Sequence, residues 1–146
     1  MTTRDTLRLR PALRRVLTHD AGTSADAHAI AAAALRAYER LAQQVAPLIG
    51  EVGLNAVCAR SVHLARRDFS WLAPADPVEP RDAPFTHVRM ALERQEPAAA
   101  TDAAIAVLAT FCELLASFIG DGLTTDLLHE AWPDGFSDDT QRETTI

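Results

Sequence analysis

The strongest pattern in the chain is an almost wholly apolar run at residues 103–119, AAIAVLATFCELLASFI. Its polar side chains are Thr110, Glu113 and Ser117, which fall at i, i+3 and i+7 and so share one narrow stripe of an α-helix. A helix that is apolar around nearly all its circumference is either the centre of a helical bundle or a membrane span. Pro97 and Gly120 suit the start and end of such a helix, so we predict a central helix over about 97–119.

The membrane alternative is disfavoured by the length and charge of this run. A span needs about 20 apolar residues with few or no charges, whereas this run of 17 carries Glu113 in its middle. No Lys or Arg lies within residues 98–134 to anchor a span. The first 20 residues also lack the apolar stretch and cleavage site of a secretory signal. We therefore expect a cytoplasmic protein with no membrane partner.

Apolar residues recur at helical spacing in further segments on both sides of the central helix. The predicted helices cover about residues 9–18, 24–49, 54–69, 86–94 and 122–132. Pro11 is expected in the first turn of the first helix, Thr23 or Ser24 to cap the second, and Asp121 to cap the last. The last helix is expected to bury four apolar side chains, Leu123, Leu127, Leu128 and Trp132. The prediction is a single all-α domain, residues 1–132, with five or six helices built from two αα-hairpins around the central helix.

Two turns of the chain resemble one another. Ile49-Gly50-Glu51 and Ile119-Gly120-Asp121 each end a long apolar helix with glycine and continue with an acid. Two interpretations stay open, because any helix–helix turn favours this chemistry and because the chain can also be a pseudo-repeat of two αα-hairpins.

A proline-rich connector and an acidic tail complete the organisation. Four prolines fall within residues 70–84, so we predict an extended connector there, with Trp71 and Leu72 tucked beneath it. Residues 133–146 are polar and acidic and are predicted to form a flexible tail. A structureless connector of this length is often functional.

Charge is distributed unevenly over the 146 residues, whose net charge is −6. Residues 1–17 hold five Arg against one Asp, and residues 121–146 hold seven acids against one Arg. The overall acidity argues against a nucleic-acid partner, because such proteins usually present a basic face. The helices carry more apolar surface than a monomer of this size readily hides, so we predict self-association as a homodimer and, as a further option, binding to another protein.

His63 is the candidate for phosphotransfer. With Arg66 three positions on, it resembles the site of histidine phosphotransfer domains, which are also helical bundles. Those domains normally place a Lys-Gly pair after the histidine, whereas this chain has Arg66-Arg67. The alternative is a histidine on a charged, exposed helix face.

A second candidate is a small-molecule pocket gated by the connector. Trp71, Phe111 and Trp132 are its expected aromatic lining. Glu113 joins the set because a carboxylate buried on an apolar helix has a raised pKa and marks many ligand sites. The alternatives are that Glu113 faces water or pairs with an arginine.

The remaining chemistry-bearing residues are sparse. His19, Asp20, Asp26 and His28 form a small cluster that suits either a metal ion or helix capping, and we favour capping, with no metal or cofactor. The two cysteines, Cys58 and Cys112, are expected to be reduced core thiols.

No phosphate-binding glycine loop, nucleophile elbow or paired cysteine motif is present, so nothing in the sequence argues strongly for an enzyme. The functional prediction is a non-catalytic regulatory or protein-interaction module. A small-molecule-binding bundle and a phosphotransfer domain are the alternatives.

Overall fold

A computed structural model describes residues 3–22, 26–72 and 84–133, and within these ranges the chain is an all-α bundle without a strand. Its five α-helices are α1 (Thr3–Ala21), α2 (Ala27–Ala65), α3 (Pro84–Glu93), α4 (Pro97–Ile119) and α5 (Asp121–Ala131). A 3₁₀ turn, Ser70–Leu72, follows α2. This confirms the predicted fold class. Most of the predicted connector and nearly all of the predicted tail, residues 73–83 and 134–146, lie outside the described residues.

Helix α4 is the centre of the bundle, as predicted. Every residue from 103 to 109 is buried, and α4 contacts each of the other four α-helices. Pro97 occupies its first turn, where the missing N–H leaves no bond unmade. By length and composition both α2 and α4 could cross a membrane, and the most apolar 18-residue windows are 28% and 61% buried respectively. A buried core helix passes the same test, and α4 is such a helix.

Helix α2 consists of two segments that meet at Gly50, whose φ of 78° and ψ of 166° are not helical. This backbone region is almost restricted to glycine. The hydroxyl of Tyr38 hydrogen-bonds to the thiol of Cys58, although residues 20 positions apart in a straight helix would lie about 30 Å apart. The chain therefore folds back at Gly50, and the two helices predicted on either side of this glycine are present as the segments of α2. The grouping of all the helices into two αα-hairpins stays a prediction.

The turn between α4 and α5 repeats this backbone conformation. Gly120 has φ 94° and ψ 158°, close to the angles of Gly50. Helix α5 begins directly after it, so Asp121 lies in the first turn and the prediction that it caps the helix was wrong. Glycine itself takes the cap position because its positive φ lets the next helix start at once. Both interpretations of the sequence similarity are compatible with this match.

The starts of the first two helices differ from the prediction. Helix α1 begins at Thr3, so Pro11 lies inside the helix and not in its first turn. Pro11 is exposed, and the carbonyl that loses its helical partner there can turn toward water. Helix α2 begins after Asp26, whose carboxylate accepts a hydrogen bond of 2.8 Å from the N–H of Ala29. Asp26 is therefore the cap, while the predicted caps at positions 23 and 24 lie outside the described residues.

The predicted end of α2 and the predicted buried face of α5 also differ from the structure. Helix α2 stops at Ala65, earlier than predicted, and Ser70–Leu72 forms a 3₁₀ turn where an extended connector was expected. In α5, Leu123 is 44% exposed although burial was predicted. Thr124 is buried in its place, because its hydroxyl donates to the carbonyl of Gly120 at 2.7 Å and so leaves no polar group unpaired.

Candidate functional site

The large aromatic residues predicted to line a pocket are mostly parts of the core. Phe111 is buried and meets Tyr38 edge to face, with ring centroids 5.6 Å apart. Trp132 is also fully buried, while Trp71 is half-buried against Phe69. None of these three predicted residues, nor Glu113, lines either of the two cavities described below. A ligand pocket formed by this set stays a prediction.

Glu113 lies on the open side of α4 in a partly buried position. The other two polar residues of the same stripe are hydrogen-bonded to the helix backbone. The hydroxyl of Thr110 donates to the carbonyl of Ala106 at 2.7 Å, and that of Ser117 donates to the carbonyl of Leu114 at 2.6 Å. Two of the three polar side chains of the stripe are thus hydrogen-bonded within α4.

Both cysteines are buried free thiols, as predicted. Burial raises the pKa of Cys58 to about 11, and the hydrogen bond from Tyr38 offsets part of that rise. Burial, with a smaller contribution from Glu113, also raises the pKa of Cys112 well above its usual range. A thiol that stays protonated is a poor nucleophile and a poor metal ligand, so neither cysteine is suited to catalysis.

The residues considered for a metal site have other partners. Asp20 is held by two arginines of α2, and Asp26 caps that helix. His28 Nδ1 lies 3.1 Å from a carboxylate oxygen of Glu93 in α3. Within the described ranges no group of three or more His, Cys, Asp or Glu is arranged to hold a metal ion. The cluster serves capping and helix–helix ion pairs.

His63 lies near the end of α2 with its side chain exposed, and Arg66 and Arg67 are exposed beyond it. Phosphotransfer requires an accessible histidine, so its position is compatible with that hypothesis, which stays a prediction.

An apolar groove of about 470 Å³ opens between the second segment of α2 and the end of α4. It is lined by Ile49, Gly53, Ala56, Val57, Arg60, Leu114 and Phe118, and Arg60 is the one charged residue in this set. We refer to these residues as the apolar groove. Gly53 packs closely on Ile49, since a Cβ at this position would lie 3.3 Å from the Ile49 side chain.

Exposed apolar side chains occur at and beside the apolar groove. Phe118 is 70% exposed at its edge, and Val52, next to Gly53, is 85% exposed. Sequence periodicity missed Phe118 because it assigns an apolar residue of an apolar helix to the core, and Val52 fell in the turn predicted between two helices. The available signal was their position two residues from Gly50 and Gly120, the turns at which the helices end.

A second cavity, of about 1200 Å³, lies between α1 and the first half of α4. We call it the α1 groove; its lining residues are Arg10, Pro11, Arg14, Arg15, Thr18, His19, Asp68, Phe69, Asp102, Ile105 and Ala106. An ion pair of 3.2 Å between Arg14 and Asp102 joins its two sides. The arginine side chains were visible in the sequence as a basic segment, but their apolar floor was not.

No protein-family model matches this chain, and neither a curated protein nor a solved structure shows significant similarity to it. The two grooves are therefore the features of the described residues from which a function can be proposed.

Proposed function

We propose that this chain is a non-catalytic protein-interaction module that forms a homodimer through the apolar groove. The observation that carries the proposal is Phe118, a large apolar side chain that is 70% exposed at the edge of an apolar depression. Exposed apolar surface of this kind typically marks an interaction site. A regulatory role and a cytoplasmic location belong to the same proposal.

A second copy of the chain is the occupant that fits this surface best. In a dimer with two-fold symmetry the same patch serves both partners, so it must carry both a protrusion and a depression. Phe118 and Val52 provide the protrusions, and the apolar groove between α2 and α4 provides the depression. Each copy can therefore insert its exposed side chains into the groove of the other.

The charges along the second segment of α2 favour an antiparallel arrangement of the two copies. Glu51 is exposed at the turn end of this segment, and Arg60 lines the groove nine residues further on, which corresponds to about 14 Å of helix. When two copies lie antiparallel, Arg60 of each copy faces Glu51 of the other. Such complementarity fixes the register of an interface more than it adds affinity.

Sedimentation velocity on the full chain at high micromolar concentration tests the proposal. We expect a dimer for the unchanged chain and for Met90→Asp, a matched control on α3 whose native side chain is 46% exposed outside the groove. We expect a monomer for Phe118→Asp and Val52→Asp. Both side chains are largely exposed, so the variants should keep the circular dichroism spectrum of the unchanged protein. A monomeric unchanged chain would overturn the proposal.

A charge exchange provides a second, independent test. Glu51→Arg and Arg60→Glu should each weaken the dimer, because each places like charges opposite one another, and the double variant should restore it. A double variant as weak as the single ones would contradict the antiparallel arrangement.

A further inference from the structure

The last turns of α2 carry a cluster of basic side chains. Arg60, His63, Arg66 and Arg67 are all exposed, and we refer to them as the α2 basic face. His63 follows Arg60 by three positions, and Arg66 and Arg67 follow His63 by three and four, so each arginine is a neighbour of the histidine on the helix surface. The cluster covers about 10 Å of helix. Residues 52–67 contain no Asp or Glu, so no acid of this segment neutralises it.

The backbone that carries this face stays ordered past the end of the helix. Arg66 has helical angles, with φ −62° and ψ −18°, and its N–H donates to the carbonyl of Val62 at 3.0 Å. The N–H of Arg67 donates to the carbonyl of Leu64 at 3.3 Å. Both arginines are therefore held one turn away from His63.

The side chains of the α2 basic face have no partners among the described residues. No hydrogen bond or ion pair joins any of the four to another side chain or to the backbone within residues 3–22, 26–72 and 84–133. Other arginines of the same helix are engaged, since Arg36 and Arg40 both hold Asp20. The guanidinium groups of the α2 basic face are therefore available to an external acceptor.

Stabilisation of the helix end explains only part of this cluster. Cations near the C-terminus of a helix are favoured by its dipole, and the effect falls off within the last turn. It applies to Arg66 and Arg67, but Arg60 lies more than one turn before the last residue of α2, Ala65. A chain with a net charge of −6 thus concentrates three unpaired arginines around one histidine, and such a cluster creates a local positive potential.

The compactness of the cluster determines which anion fits it. A nucleic-acid strand requires a basic stripe along several phosphates, whereas this face is about 10 Å long. A carboxylate has one charge and two oxygens to share among three guanidinium groups. A phosphoryl group carries nearly two charges and three acceptor oxygens, and arginine binds it with paired N–H bonds. The ring of His63 supplies a further N–H donor.

We infer that the α2 basic face binds a phosphoryl group, either free phosphate or a phosphate ester, without a covalent bond to His63. The oxygens lie over His63, and the three guanidinium groups converge on them from the adjacent turns. The inference does not rest on the dimer proposal, because His63, Arg66 and Arg67 do not line the apolar groove. Arg60 belongs to both surfaces, so the variants below are placed at Arg66 and Arg67.

Titration of the ¹⁵N-labelled full chain with inorganic phosphate tests the inference. The experiment is run at about pH 8, where the dianion dominates, and sodium chloride keeps the ionic strength constant. The amide signals of residues 60–69 should shift and reach saturation. Sodium acetate at the same ionic strength should produce no saturable shift. An absence of saturation with phosphate, or equal saturation with acetate, would overturn the inference.

Neutral substitutions show whether the arginines hold the anion. Arg67→Gln should weaken phosphate binding about tenfold, because charge-assisted hydrogen bonds are lost. The matched control is Arg94→Gln, which removes the same charge at an exposed arginine outside the face and should change the affinity less than about twofold. Arg66→Glu with Arg67→Glu should abolish saturable binding while the circular dichroism spectrum is retained. Equal losses for Arg67→Gln and Arg94→Gln would contradict a localised site.

A second arm distinguishes the sources of the phosphoryl group. A short glycine-rich peptide with a single phosphoserine is titrated beside its unphosphorylated form. Tighter binding of the phosphopeptide than of inorganic phosphate assigns the face to phosphorylated proteins, and binding that is no tighter assigns it to the free anion. Equal binding of the two peptides would overturn the inference.

The variant Phe118→Asp separates this inference from the dimer proposal. Phe118 lies outside the α2 basic face, so the variant should bind phosphate with unchanged affinity. Phosphate binding by a chain that never dimerises contradicts the dimer proposal alone. A dimer that binds no phosphate contradicts this inference alone.

Discussion

The indole N–H of Trp132 donates a hydrogen bond of 2.9 Å to the backbone carbonyl of Ala37, a residue 95 positions earlier in the chain. Both residues are completely buried. The bond joins the end of α5 to the first segment of α2 and gives the large indole ring a polar partner inside the core. Trp132 thus fastens the last described helix to the bundle.

Replacing Trp132 with phenylalanine should lower the free energy of unfolding by about 1–3 kcal/mol, because a buried hydrogen bond is lost together with part of the ring. The control is Trp71→Phe at the half-buried 3₁₀ turn, which should change it by no more than about 0.5 kcal/mol. Urea denaturation followed by circular dichroism measures both. Equal losses in the two variants would contradict a special role for Trp132.

Gly120 and Gly122 offer a matched test of backbone strain. A Cβ at either position meets no atom within 4 Å, but Gly120 has a φ of 94° and Gly122 does not have a positive φ. Gly120→Ala should therefore destabilise the protein by about 1–3 kcal/mol. Gly122→Ala should stabilise α5 by up to about 1 kcal/mol. The same sign for both substitutions in thermal unfolding would refute the strain argument.

Two aspartates that pair with arginines, Asp20 and Asp102, should contribute unequally to the free energy of unfolding. Asp20 is 15% exposed and accepts from Arg36 and Arg40, whereas Asp102 is 56% exposed and pairs with Arg14. Asp20→Asn should cost about 1.5–3 kcal/mol, the range for hydrogen bonds to charged groups, and Asp102→Asn less than about 1 kcal/mol. Urea denaturation at low and high salt is the measurement. Asp102→Asn as the more damaging substitution would contradict the prediction.

The buried thiol of Cys58 should make stability decrease at high pH. Its pKa is raised by burial from an ordinary 9.0 to about 11. Between these values the unfolded chain loses the thiol proton while the folded chain keeps it, so its contribution is complete below pH 9 and is lost as pH approaches 11. The slope attributable to this thiol is at most about 1.4 kcal/mol per pH unit.

Denaturation with reductant across this pH range should therefore show a smaller decline for Cys58→Ala than for the unchanged chain. Tyr38 and Cys112 also have raised pKa values, so part of the decline should remain in the variant. Identical pH profiles for the two proteins would contradict this assignment.

The parts of the fold that follow local rules could be predicted from the sequence. Pro97 and Gly120 define α4 because the backbone of each residue restricts where a helix begins or ends. The cap of α2 was harder to predict, because several adjacent residues can all cap a helix, and the cap in the structure is Asp26. Pro11 misled the prediction of α1 because a solvent-facing proline is compatible with a continuous helix.

The apolar groove could not be predicted from any single segment of the sequence, because residues of both α2 and α4 line it. Phe111 and Phe118 lie on the same apolar helix, yet one is 1% exposed and the other 70% exposed. Phe118 lies on a face of α4, beside the second segment of α2, that the other described helices leave largely uncovered. Periodicity identifies an apolar face but does not show how far the partner helices cover it.

Alanine occupies many buried positions of the two longest helices, α2 and α4, which contact one another. Four alanines of α2 are inaccessible to solvent, Ala31, Ala33, Ala34 and Ala37, as are four of α4, Ala100, Ala103, Ala104 and Ala109. With only a methyl group at each site, the interior there consists largely of main chain, which cannot repack around a bulkier substituent as long side chains do. Evolutionary drift in residue size should therefore be confined to the outer helices, α3 and α5, leaving the central pair as the most slowly changing part of the molecule.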